Sequence, residues 1–536
     1  MGLSCVIKHL KFQISNFKVL LAIARRGFVI TTALFLLASC ASSNNRVPGY
    51  LYLRLQADPS TLDPALITDV PGGGIAAKLY DGLVKIGAGL KIKPDVARSW
   101  TVSPDGIHYD FFLRKGVRFS NGVEVRASDF QYSFERVLSS KTLSPNTWVL
   151  SRISGAKAFM GGKAAHISGI KVKGPYEIEL TLDKPFSPFL GLLAMPTAYV
   201  VAREGNSPVP IGCGPFTVQK WLPGQELMLK ARRHYFAGPP KIKGIVYRVI
   251  PEDLTAVVEF ETGNLDILSI PESVYGRFRN DPFWSRYVTS TDGINTYYLG
   301  LNCSRPPFND RRLRQAVSYA IDRQKILETY FEGRGVFATG PVPPELRGWA
   351  APKAYEYNPA KARQLIKEAG YKDLKAEFYV TNQEEVLDMA EIIQQYLSRV
   401  GIQVKIKQLE WNSYKEAINN GEPDMFWLSW WADYPDPENF LFPLFDSANI
   451  GPAGNRTRYS DPVVDKLIED GQHASTVAAR NRYYSQAEHI IAHDAPWVFF
   501  WHRKDIVVRS PRVRGYKDYP VYSMDKATEI SLDASK

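Results

Sequence analysis

The stretch EEVLDMAEIIQQYLSRVGIQVKIKQL, residues 384–409, decides what kind of fold this chain has. Glu384 to Val400 reads as a helix. Gly401 ends it, because glycine takes the left-handed turn past a helix terminus without strain. Gln403 to Leu409 then alternates polar and apolar side chains, which is the period of a strand. A helix that passes straight into a strand is the unit of a mixed α/β body.

The same alternation extends in both directions. Asn358-Pro359 opens a helix that stops at Gly370, with proline in the first turn and glycine past the end. Asn295 to Asn302 is strand-like, and Asp310 to Thr329 reads as one long amphipathic helix. Nearer the N-terminus, strand runs at Tyr50–Leu55, Tyr109–Leu113 and Tyr176–Leu182 are interleaved with helices. One helix covers Asp129–Leu138, with Ser128 or Asp129 as its cap. Another runs from Ile75 to Leu83, behind Pro71-Gly72-Gly73-Gly74. That glycine run reads as a turn needing positive φ, with an anion site at the helix N-terminus as the alternative. Trp497 to Val508 is an aromatic-rich strand near the end. The chain has 536 residues, more than one core usually holds, so two or three lobes are expected. A hydrophobic fraction of 45% and an aromatic fraction of 12% exclude a disordered chain.

The first forty residues carry an export signal. A basic stretch ends at Arg25-Arg26-Gly27, and the apolar run Phe28 to Leu37 is too short for a permanent span. Leu37-Ala38-Ser39-Cys40 follows, then the polar Ala41-Ser42-Ser43-Asn44-Asn45. Small residues before a cysteine resemble a lipobox, which makes Cys40 the expected lipidation site, 1–39 the signal and 40–49 a tether, with a plain secretory signal and a chance cysteine as the alternative. The formal charge of +11 falls to about +6 once the five basic residues of 1–39 are set aside. The remainder is spread out, with no basic block of the nucleic-acid-binding kind. Cys213 and Cys303 are left in the body. In an oxidising compartment they are either a disulfide or two separate buried thiols.

No catalytic constellation stands out: there is no Gly-x-Ser-x-Gly elbow and no phosphate loop of the Walker type. His489 and His493 share a helix face, but the glutamate of a zinc-protease motif is missing, so no metal or other cofactor is expected. Arg311-Arg312-Arg314 reads as a solvated face or a surface turned to a partner. Trp430-Trp431-Ala432-Asp433-Tyr434-Pro435-Asp436-Pro437 differs from all these. Aromatics and carboxylates in a proline-broken segment suit the wall of a cleft better than a strand interior.

Five stretches in order resemble family 5 of the ABC solute-binding proteins, the oligopeptide- and dipeptide-binding group. They are Leu62-Asp63-Pro64 through Leu79-Tyr80-Asp81-Gly82-Leu83; Pro94-Asp95-Val96-Ala97-Arg98-Ser99-Trp100 through Phe119-Ser120-Asn121-Gly122; Gly212-Cys213-Gly214-Pro215-Phe216; Pro307-Phe308-Asn309-Asp310 through Ala320-Ile321-Asp322-Arg323; and the segment around Asp433. The resemblance implies an α/β fold of the periplasmic-binding-protein-like type II, two lobes with a hinge and an extra lobe inserted in the first. The first lobe would comprise 50–80, 195–295 and 503–536, the inserted lobe 81–194 and the second lobe 296–502. It implies a non-enzymatic, monomeric receptor at the extracytoplasmic face, in the periplasm or cell envelope, lipid-anchored to the membrane through Cys40. Such a receptor captures a peptide and delivers it to an ABC permease; the same fold binds nickel chelates, haem, sugars or opines in other members.

The resemblance also assigns residues. Asp433 would hold the ligand ammonium, with a turn-capping carboxylate as the alternative. Backbone groups of Ser429 and Trp431 would pair with the ligand from one lobe, and those near Thr68 and Val70 from the other. Trp427, Trp430, Trp431 and Tyr434 would line side-chain pockets. Where oligopeptide binders place cations for the ligand carboxylate, this chain has Glu385, Ile418 and Trp427, none of which can pair with a carboxylate. Either the ligand's C-terminus is then held elsewhere, or it extends into solvent, or the ligand is not a free-acid peptide; Asp433 and Glu385 acting together would favour a cationic one.

Overall fold

The strand Trp497–Arg509, 13 residues long, organises the largest sheet. In the computed structural model, which describes residues 46–203, 209–452 and 454–533, its first half lies antiparallel to Asn295–Leu301. Its second half pairs with Val288–Asp292 and Ile267–Ser269. One continuous strand thus serves two sets of neighbours. A bulge between Tyr297 and Tyr298 adds local twist where the strands meet. The signal segment, Cys40 and the tether up to Asn45 lie outside the described residues. The chain from Leu51 onward is one compact unit, and no described helix is long and apolar enough to cross a membrane.

On its other edge, Asn295–Leu301 pairs antiparallel with Met425–Trp431, register Asn295 to Trp431 through Leu301 to Met425. Leu374–Thr381 comes next, parallel both to Met425–Phe426 and to Ile402–Leu409. Parallel neighbours need a crossover, and the helix Glu384–Ser398 supplies it. Met389, Ala390, Ile393 and Leu397 are the buried residues of that helix, and Gly401 takes a φ of 89° just past its end. An antiparallel sheet of Ala97–Val102, His108–Leu113, Glu177–Thr181 and Ile170–Gly174 stands apart, as does one formed by Tyr50–Leu55, Gly244–Val249, Glu226–Ala231 and Phe216–Leu222. Phe111, Phe130, Phe134 and Phe189 share a core with Phe440, Leu444, Ile468 and Tyr484. The segment that follows this sheet meets the helical side: the Ser187 amide donates to the Gln472 carbonyl of the helix Pro462–His473 at 3.0 Å, and Gly191 lies against Tyr434.

Several local expectations need correction. Gly72-Gly73-Gly74 is not a turn but the body of a helix, Val70–Leu79, which ends four residues earlier than the sequence suggested. Asp69 caps it, accepting from the Gly72 amide at 2.6 Å, and none of the three glycines has positive φ. Gly73 serves packing instead: a side chain there would overlap the Tyr522 ring, whereas one on Gly74 would meet open space. The helix at 129–138 starts earlier, at Ala127, with Arg126 in the cap position; Asp129 accepts from the Arg126 amide at 2.8 Å. The single helix expected over Asp310–Thr329 is two, Arg311–Ala320 and Arg323–Thr329. Ile321 is extended at the break, and Asp322 caps the second helix by accepting from the Lys325 amide at 3.1 Å. Arg314 is not solvated: it is buried, and donates to the carbonyls of Asp494 and Phe308, each at 2.8 Å.

Cys213 and Cys303 are both free, so the disulfide reading is overturned. The Cys213 thiol faces Asp81 at 3.6 Å, and the Cys303 thiol faces the Leu301 carbonyl at 3.4 Å. Burial pushes the Cys303 thiol up to about 11, away from the thiolate form that exchange chemistry needs. The motifs containing Tyr80-Asp81 and Gly212-Cys213-Gly214 meet here. A side chain at Gly212 would overlap the Leu79 carbonyl oxygen, so the backbones touch only because it is glycine. Lys526 completes the cluster, 2.6 Å from Asp81 and 2.7 Å from the Tyr80 carbonyl, and ties the C-terminal segment down.

Candidate binding cavity

The strand Met425–Trp431 has one satisfied edge and one partly open edge. The Ala432 amide donates to Ile294 and the Asn302 amide to Asp424, both at 2.9 Å, with an unbroken register between these bonds. In an antiparallel pair the bonding residues alternate. The even-numbered residues therefore bond to Asn295–Leu301, and Trp427, Ser429 and Trp431 turn their amides and carbonyls the other way. On that side Leu374–Thr381 reaches only Met425 and Phe426. The Tyr414 hydroxyl donates to the Trp427 carbonyl. Ser429 and Trp431 are left with no strand partner on that side among the described residues.

Past Trp431 the prolines stop the strand and the helix Glu438–Phe445 begins. Asn439, in its first turn, acts as a clamp. Its side-chain oxygen accepts from the Asp433 amide at 3.0 Å and from the Trp430 indole at 3.2 Å, while its amide nitrogen donates to the Asp433 carboxylate at 3.3 Å. Burial raises the Asp433 carboxyl above its ordinary range, and the Asn439 bond only partly offsets this. No cation pairs with Asp433 among the described residues. The neighbouring carboxylates are engaged: Asp436 holds Arg480 at 2.7 Å, and Glu438 accepts from the Tyr434 hydroxyl and, at 2.6 Å, from Gln472. Burial pushes Glu438 up to about 7.

Trp430, Asp433, Tyr434 and Asn439 form one wall of a cavity of about 810 Å³. Trp148, Arg152, Phe186 and Leu192, from the 97–192 region, form the facing wall. The walls meet where Trp148 and Tyr434 approach, ring centroids 6.2 Å apart. The size suits a small ligand, and aromatic faces with a few polar groups are the usual composition of such sites.

The cavity brings together Asp433, Trp430 and Tyr434 of the residues singled out from sequence. Trp431 is 40% exposed and does not line it, nor does Ser429. Thr68 and Val70 are exposed at the start of the Val70–Leu79 helix. Tyr522 links that helix to the site: its ring rests on Gly73, and burial, with a smaller part from Asp433, pushes its hydroxyl upward. Trp427 is a core residue packed on Phe500 and Trp501, and Ile418 is buried in the helix Trp411–Asn420. Glu385 stands 3.8 Å from Arg503, which also faces Glu272 at 3.4 Å, so it is not a free anion. His489 engages the Ser485 carbonyl at 2.7 Å. Asn439, Tyr522, Trp148 and Arg152 were missed. The indirect signal for Asn439 was its place in the first turn of the helix that follows the Pro435/Pro437 break.

Comparison with known proteins follows the same outline. The family model "Bacterial extracellular solute-binding proteins, family 5 Middle" matches residues 91–452. Heme-binding protein A of Haemophilus influenzae is 28% identical, covering 92% of this chain and 93% of the relative. The probable di/tripeptide-binding protein 5 of Pseudomonas aeruginosa is 30% identical, covering 83% and 89%. Among solved structures, DppA of Helicobacter pylori in complex with the peptide STSA superposes with a TM-score of 0.76 at 29% identity, covering 91% of this chain and 98% of that one.

Proposed function

The chain belongs to family 5 of the bacterial extracellular solute-binding proteins and has their two-lobed, type II α/β fold, and from that premise we propose that it captures peptides in the cavity beside Asp433. One observation carries the reading: a desolvated carboxylate, fixed by Asn439, meets no cation among the described residues at the wall of a cavity. A buried unpaired carboxylate is costly to maintain, and a ligand ammonium relieves that cost. The open edge at Ser429 and Trp431 does not line the cavity but flanks Trp430, which does, so a peptide that extends out of the cavity meets backbone groups that pair with it whatever its side chains. Backbone groups near Thr68 and Val70 contribute from the other lobe.

Under this reading the protein is a receptor with no catalysis of its own. It works as a monomer, is held to the membrane by a lipid on Cys40, and hands its ligand to an ABC permease. The lobes divide as 50–80, 195–295 and 503–536 for the first, 81–194 for its insertion and 296–502 for the second. The strands Asn295–Leu301 and Trp497–Arg509 then carry the crossings.

Isothermal titration with a free tripeptide and its N-acetyl form tests the anchor. Acetylation is expected to weaken binding to the native protein by about tenfold or more, a charge-assisted bond lost in a desolvated site. In Asp433→Asn that difference disappears. Equal affinity of both forms for the native protein defeats the ammonium assignment. A second reading, a non-peptide ligand in the same cleft, is favoured by the similarity to Heme-binding protein A. Native mass spectrometry of the protein from its own envelope separates the two: a ladder of short peptides supports the first reading, a single discrete non-peptide mass the second.

A further inference from the structure

Asp433 accounts for one charge on a peptide and leaves the other without a partner. The positions where the family's oligopeptide binders hold a ligand carboxylate are here Glu385, Ile418 and Trp427; the first faces Arg503 and the other two are core side chains. Arg503 itself is committed to Glu272 and Glu385 and does not line the cavity.

The facing wall holds a different cation. Arg152 lies over the Phe186 ring, guanidinium carbon to ring centroid 3.9 Å, and lines the cavity. It makes no ion pair and no side-chain hydrogen bond among the described residues. Stacking on an aromatic face fixes a guanidinium without using its N–H donors, so the fork stays free for a bidentate carboxylate. Lys157 and Lys184 also border the cavity but are exposed, where a solvated ammonium gains little from pairing. Glu438 is the acid whose field Arg152 feels, yet both its oxygens are already bonded, to Tyr434 and Gln472. Burial also pushes the Glu438 carboxyl up to about 7, against its ionised form.

We propose that Arg152 is the receptor for an anionic group of the ligand, so that the cavity takes an amphoteric peptide with its ammonium at Asp433 and a carboxylate at Arg152. This rests on the peptide reading above and deepens it. It also reverses the expectation of a cationic ligand: of the charges bordering the cavity without an ion pair among the described residues, Lys157, Asp183, Lys184 and Glu469 are exposed, while the two partly buried ones, Asp433 and Arg152, are of opposite sign and come from the two segments that line it. A ligand that joins them would also hold the walls together.

The test uses the full chain and a mixed di- to tetrapeptide library in free, C-amidated and N-acetylated forms, retained species being read by mass spectrometry. A retained free peptide and its amide are then titrated calorimetrically against native protein, Arg152→Ala and Arg152→Lys. Amidation is expected to cost the native protein about tenfold or more, to cost Arg152→Ala nothing beyond about twofold, and to have an intermediate effect in Arg152→Lys. Survival of only Asp- or Glu-containing members in the amidated library would assign the site to an acidic side chain instead of the chain end. Thermal melts of the three proteins verify folding. An equal amidation penalty in native protein and Arg152→Ala, or none in either with no enrichment of acidic members, overturns the proposal while leaving the Asp433 anchor intact. Failure of every library form to bind the native protein sinks the peptide reading and this inference with it.

Discussion

Asp433 shows what a single residue discloses in sequence and what it hides. Its setting among aromatics and prolines marked it as a cleft residue, yet whether it was free or spent depended on Asn439 and on the absence of a cation among the described residues, which are facts of three-dimensional neighbourhood. Asp436, three positions on, looks equivalent in sequence but is fully engaged by Arg480. Gly73 is the converse case. Its type was legible and its reason was not, since Tyr522, the ring it accommodates, lies far along the chain. Gly73→Ala is expected to destabilise the protein by about 1–3 kcal/mol through overpacking, measured by denaturant unfolding. In the double variant with Tyr522→Ala the cost of Gly73→Ala should largely vanish, the coupling expected of two residues in contact.

Elements with strong local signals were readable: the helix Glu384–Ser398 and the strand Ile402–Leu409 have their period and glycine stop written in the chain. The break between Arg311–Ala320 and Arg323–Thr329 was not, because the apolar pattern runs through Ile321 and the cap at Asp322 is an ordinary acidic residue in a polar stretch. The strand Met425–Trp431 combines both situations. Its aromatic density was plain, but which tryptophans face a core follows from pairing. Trp427 packs in the core and Trp430 lines the cavity. Trp427→Ala should therefore cost about 3–5 kcal/mol of stability, checked by thermal or denaturant melts. Trp430→Ala, at a half-buried position, should cost markedly less in the same melts.

Across the whole molecule, buried acids dominate the pH response near neutrality. Glu438 is pushed up to about 7, and Asp95, Asp446 and Asp505 each to about 6. A carboxyl whose folded pKa exceeds its unfolded value binds more protons in the native state, so stability falls as pH rises through that range. His502 opposes this: burial lowers it to about 4, so acid below its unfolded value of 6.5 favours unfolding. Four raised acids against one lowered histidine give a net sign. The melting temperature is expected to rise when pH is lowered from about 7.5 to about 6, and a flat or falling profile would contradict these burial effects. None of this was visible in the sequence, where all four acids resemble surface residues.

The half-open edge at Ser429 and Trp431 carries a chemical consequence of its own. An edge that recognises main-chain amides is insensitive to side-chain identity but not to the linkage between residues. An ester in place of one peptide bond keeps shape and length while deleting a donor, and N-methylation deletes it and adds bulk. Depsipeptide and N-methyl analogues of a retained ligand should thus be excluded at the position facing this edge and tolerated elsewhere, so that a scan of such analogues reads out the ligand's register, residue by residue.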